Sequence, residues 1–164
     1  MEFTELMAWG SALGLGATLL TDCVGFLRQG VAATHGFYCL VGRWVGSVHC
    51  QGVFHDDIRT TPPVRAEAAL GWAAHIGLGL VFGMAFAVLF GAAALRSPQA
   101  WQGLSFGVLT VLVPWLIFQP FFGWGVAVAR APEPWKLRLR GLITHAVFGL
   151  GLWLSAVLLN RLIT

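Results

Sequence analysis

The chain has little charge. Charged residues make up 10% of 164, apolar residues 57%, and the mean hydropathy is +0.76. A soluble domain carries about 25% charged residues. This chain cannot coat a water-facing surface, which excludes a soluble globular domain, a disordered tail and a nucleic-acid binder. The net charge of +3 then reads as basic residues sorted across a membrane. Cysteine is scarce, at three residues with no C-x-x-C. His35, Cys39, His49, Cys50, His55, Asp56 and Asp57 are metal-ligand types, but their spacing fits no standard zinc pattern. They are expected to be ordinary loop residues, with thiols left free in a cytosolic loop. Phosphate loop, G-x-S-x-G and H-E-x-x-H are all missing. No serine triad or carboxylate pair suggests hydrolysis, so enzyme activity is the weakest expectation.

What is present is long apolar runs. Between Glu67 and Arg96 lie 28 uncharged residues, between Arg96 and Arg130 lie 33, and between Arg140 and Arg161 lie 20. From Glu5 to Arg28 the only charge is Asp22. A bilayer-crossing helix needs about 20 apolar residues. The fold class is therefore all-α, a bundle of four transmembrane helices near 6–27, 69–95, 100–119 and 141–161. Pro114 is expected to kink the third helix, and Gln119-Pro120 to end or bend it. The first span has Glu2 and Glu5 before it and no small-residue cleavage site, unlike a cleaved signal peptide. The uncharged stretches 29–42 and 121–129 are too short to cross and are expected to lie in the interface or to re-enter.

Arg28, Arg43, Arg59 and Arg65 precede the second helix, and Arg130, Lys136, Arg138 and Arg140 precede or open the fourth. Only Arg96 and Arg161 lie on the other side. This bias puts both long loops in the cytosol and both termini outside it. The eight Trp are expected to act mostly as interfacial anchors, notably Trp44, Trp72, Trp101, Trp124 and Trp135.

The openings of the second and fourth helices look alike. Gly71-x-x-x-His75-x-x-x-Gly79 follows Pro62-Pro63, and Gly141-x-x-x-His145-x-x-x-Gly149 follows Pro132 and Pro134. We read one membrane domain, 1–164, with tandem pseudo-repeats at about 6–95 and 100–161. Small residues recur every four positions in each helix, so Gly79, Gly83, Gly103, Gly107 and Gly149 are expected to be helix-packing positions. Each row reaches one polar residue: Asp22, His75, Gln119 or His145. The first, second and fourth lie roughly 7–12 Å from the nearest cytosolic charge at 1.5 Å per residue.

Polar groups at such depth suggest a site. The expectation is a cytosol-facing pocket of Asp22, His75, Gln119 and His145, with Arg43, His55, Asp56, Glu67, Arg138 and Arg140 at its mouth and loops. The plainer alternative is that these side chains only pin helices together. Asp22, His75 and His145 have the ligand types for a metal ion, and His75 with His145 could hold a haem or another tetrapyrrole.

Val41-Gly42-Arg43-Trp44, Phe54-His55-Asp56, the run from Glu67 to His75, Gln119-Pro120, Gly123-x-Gly125, Arg130-x-Pro132-x-Pro134 and Thr144-His145-x-x-Phe148-Gly149 carry a resemblance. Over nearly its whole length the chain resembles a bacterial family of small four-helix integral membrane proteins catalogued only as a domain of unknown function. The resemblance implies a multi-pass protein of the bacterial inner membrane and no established activity. The stretch 35–50 is less typical of that family, which weakens a shared metal role there. The leading functional expectation is a binding or transport component for a small ligand, metal or proton, in a homo-oligomer or larger complex within the lipid bilayer. The alternative is an accessory subunit of a redox or photosynthetic complex. A membrane enzyme using His55 and Glu67 as acid and base ranks last.

Overall fold

The structure is a computed structural model and describes residues 2–163. Among the described residues there is no strand. The long helices are α1 (Phe3–Gln29), α2 (Val31–Gln51), α3 (Glu67–Phe90), α5 (Ala100–Thr110) and α7 (Pro134–Ile163), with short α4 (Ala93–Arg96) and α6 (Gln119–Phe121). Four stretches are long and apolar enough to cross a membrane: Phe3–Gln29, Glu67–Phe90, Ala100–Phe121 and Pro134–Leu162. They match the four expected spans.

Three local features differ from expectation. The segment after α1 is not an irregular loop but the 21-residue helix α2, entered through Gly30 at φ 84°. The second span stops at Phe90 rather than 95, because Gly91 turns to φ 65° and a short helix follows. Pro114 does more than kink its helix. It opens a π-helical turn, Pro114–Phe118, closed by the Gln119 N–H donating to the Pro114 carbonyl. Proline has no N–H for the α ladder, and the register shifts by one residue to recover a bond.

The chain forms two compact units. The first comprises the described residues up to Gly25, then Ile76–Thr110, then those from Ile143 on. Its core is Leu13, Ala17, Phe86, Ala94, Phe148, Leu152 and Ala156. Small residues set its helix crossings. A Cβ added at Gly83 would strike the Gly10 carbonyl and one at Gly14 the Gly79 carbonyl, so α1 and α3 touch backbone to backbone. A Cβ at Gly103 would strike the Gly149 carbonyl, and one at Gly107 the Gly149 backbone. In lipid such contact replaces hydrophobic burial as the driving force.

The second unit is Phe26–His75 with Val111–Leu142. Here α2 lies antiparallel to the first turns of α3. A Cβ at Gly42 would collide with the Glu67 carbonyl, and one at Gly71 with the Tyr38 carbonyl. Beyond α2, the loop 52–66 is tied to the end of α6. The His55 N–H donates to the Phe121 carbonyl at 2.9 Å and the Ile58 N–H to the Phe122 carbonyl at 3.0 Å. Gly123, at φ 82°, packs so tightly on the Asp56 carbonyl that no side chain fits.

Candidate functional site

The expected pocket residues fall in both units. Asp22 and His145 belong to the first, His75 and Gln119 to the second. Asp22 is buried, at 7% exposure. His145 Nδ1 lies 2.7 Å from the Thr110 hydroxyl. That hydroxyl donates its hydrogen to the Gly107 carbonyl at 2.6 Å. With the hydroxyl turned to Gly107, the imidazole donates to it from Nδ1. His75 Nε2 is hydrogen-bonded to the Tyr38 hydroxyl at 3.0 Å, and the two rings stack 4.2 Å apart. To ligate iron through Nε2, His75 would first have to release Tyr38.

The six expected mouth and loop residues all lie in the second unit. Arg43 grips Glu67 with two bonds, Nε to Oε2 at 2.9 Å and an Nη to Oε1 at 3.0 Å. Its other Nη donates to the Thr61 carbonyl at 3.0 Å. The Glu67 carboxylate holds the Arg43 guanidinium above its ordinary pKa. The Thr61 hydroxyl meets His55 Nδ1 at 2.9 Å, so Arg43, Glu67, Thr61 and His55 form one chain of polar contacts. Arg138 Nε donates to the Ala127 carbonyl at 2.8 Å, and Arg140 to Gln29 Oε1 at 3.3 Å. Asp56 is exposed and contributes its backbone to the Gly123 contact.

Aromatic residues complete this unit. Trp44 stacks on Phe121 at 5.7 Å and donates its indole N–H to the Val53 carbonyl. Trp72 donates to His35 Nδ1, and Trp124 to Asp57 Oδ1. These three indoles are half-buried and hydrogen-bonded within the protein, whereas Trp101 and Trp135 are 62% and 66% exposed. Asp57 also takes a paired bond from Arg59, which together with Trp124 pulls its pKa down to about 2.

Against this satisfied background three buried side-chain atoms find no hydrogen-bond partner among the described residues: His55 Nε2, Trp115 Nε1 and Gln119 Oε1. All belong to the second unit. Trp115 and Gln119 are four residues apart, Trp115 within the π turn and Gln119 capping it. The indole nitrogen faces α7 at Gly141, where even an added Cβ would sit 3.5 Å away. Folded proteins rarely leave such atoms unmet, and π turns recur at functional positions. The row Gly103, Gly107, Val111, Trp115, Gln119 is legible in the sequence, yet only Gln119 stands out there as polar. Tyr38, Thr61 and Thr110 were not legible as partners, because each bond joins residues far apart in the chain or depends on α2.

His35 and Cys39 do share a helix, since α2 covers both. Among the described residues, however, no three His, Cys, Asp or Glu side chains gather to hold a metal ion. No curated protein matches the chain, and no solved structure does. Residues 11–159 match a family described as a protein of unknown function, DUF2938. That stretch covers nearly all of the chain and includes every motif that carried the resemblance, and so the chain belongs to the DUF2938 family.

Proposed function

We propose that this protein is a binding or transport component of the bacterial inner membrane, and that it holds a small polar ligand in the second unit beside Trp115 and Gln119. The observation that carries the reading is the pair of buried atoms there with no partner among the described residues, an N–H donor and a carbonyl acceptor four residues apart in the chain. Leaving such groups unmet costs roughly 1–3 kcal/mol each. A ligand that meets them accounts for their retention. The chain of contacts from Glu67 through Arg43 and Thr61 to His55 belongs to the same unit and sets its backbone. In the charge-based orientation, both loops of this unit face the cytosol, and both termini lie outside it.

The tandem repeat belongs to this reading. The crossing of α1 on α3 uses Gly10, Gly14, Gly79 and Gly83, and that of α5 on α7 uses Gly103, Gly107 and Gly149. Gly79 and Gly149 occupy the same place in the two repeated motifs, four residues after a His. Little room is left for a conduction path in one protomer, which favours assembly into a homo-oligomer or a larger complex.

Native mass spectrometry of protein released gently from its own membranes tests the function. The expected result is a small-molecule mass increment on the wild type that is lost in Gln119→Leu. Release with other subunits and no such increment would instead mark a structural component.

A further inference from the structure

The chemistry of the unmet groups restricts what can fill the site. This step rests on the binding reading above and names the ligand class. Trp115 offers only a donor, and Gln119 Oε1 only an acceptor. Neither carries a charge. Five basic side chains of the same unit are turned to partners of their own. Arg43 holds Glu67 and Thr61, Arg59 holds Asp57, Arg130 holds the Gly123 carbonyl, and Arg138 holds the Ala127 carbonyl. Lys136 pairs with Glu133. A charged ligand at the π turn would find no counter-ion in this set without breaking one of these bonds.

We infer that the site takes an uncharged hydroxyl group, as in an alcohol or polyol. A hydroxyl group can meet either demand. Its hydrogen can donate to Gln119 Oε1, and a lone pair can accept from the Trp115 indole N–H. A carboxylate could accept from Trp115 but would face the Gln119 oxygen with a second acceptor. An ammonium would reverse the conflict, donating to Gln119 and repelling the indole N–H. Gly141 lies beside the indole nitrogen, where an added Cβ would come to ordinary contact at 3.5 Å.

The test uses the full chain in lipid nanodiscs with 15N-labelled indole groups. The Trp115 resonance is the one missing from Trp115→Phe. Three probes of equal size are titrated: 1-propanol, propionate and propylammonium. The expected result is a saturable shift of the Trp115 indole signal with 1-propanol alone, and a five- to tenfold weaker midpoint in Gln119→Leu, the loss of one hydrogen bond. Gln119→Glu, which keeps the shape and adds charge, is expected to turn the preference toward propylammonium. A saturable shift with propionate or propylammonium instead of 1-propanol overturns the ligand class and leaves the binding reading standing. No saturable shift with any probe, together with direct transfer from water to the Trp115 N–H, means that solvent alone fills the site and overturns both.

Discussion

Arg43 and Glu67, 24 residues apart, meet through two parallel bonds of 2.9 and 3.0 Å that lock α2 onto the first turn of α3. Both side chains are largely buried, at 12% and 19% exposure. Arg43→Ala strands the carboxylate and is expected to destabilise the protein by about 2–4 kcal/mol. Arg43→Lys should recover only part of that, since an ammonium cannot reproduce the planar fork. Replacing both residues by Met and Leu should recover more than either single change. Denaturant unfolding in mixed micelles measures all three against the wild type.

The close approach of α2 and α3 makes a steric prediction. Gly42→Ala and Gly71→Ala each drive a methyl into a carbonyl of the facing helix. Each is expected to cost about 1–3 kcal/mol, as overpacking does. Gly36→Ala on the same helix meets nothing within 4 Å and should be neutral or stabilising. Equal effects at all three positions in thermal unfolding would contradict the packing described.

Asp57 gives the loop a pH dependence. Its pKa is about 2 because Arg59 hydrogen-bonds the carboxylate, against an ordinary value of 3.8. A depressed carboxylate stabilises the fold above its unfolded pKa, and the contribution fades as pH falls through the folded value. The loss therefore falls between about pH 4 and pH 2. Arg59 is 65% exposed, so solvent screening holds the effect to less than about 1 kcal/mol. Asp57→Asn should flatten the stability profile in that window, and added salt should shrink the difference.

Orientation has a chemical readout. Cys50 is exposed at the end of α2, in the segment assigned to the cytosol by its arginines. A membrane-impermeant maleimide is expected to label Cys50 in inverted vesicles and not in intact spheroplasts. With Cys23 and Cys39 replaced by Ala, the reverse pattern would invert the topology.

Much of the fold was legible because four apolar runs exceed the bilayer thickness, and hydropathy reads length well. Helix α2 was hidden for the same reason. Arg43 interrupts its apolar character, and its glycines resemble loop chemistry although Gly42 serves a helix crossing. The end of α3 was overrun because residues 91–95 remain apolar while Gly91 turns the backbone. Pro114 announced a break, but the π register depends on which carbonyl the chain recovers. Of the four polar residues expected at one depth, Gln119 carries an unmet buried atom. What depth cannot supply is the partner of each group: Tyr38 for His75 or Thr110 for His145.

The central claim is that Trp115 and Gln119 are kept polar for a ligand and not for the fold. Thermal unfolding of Gln119→Leu and Trp115→Phe in nanodiscs, each against the wild type without added ligand, tests it most directly. Removing an unmet buried polar atom should leave stability unchanged or raise it by up to about 1–3 kcal/mol. A clear loss of stability in both variants would mean that these atoms hold the protein together, and would contradict the account.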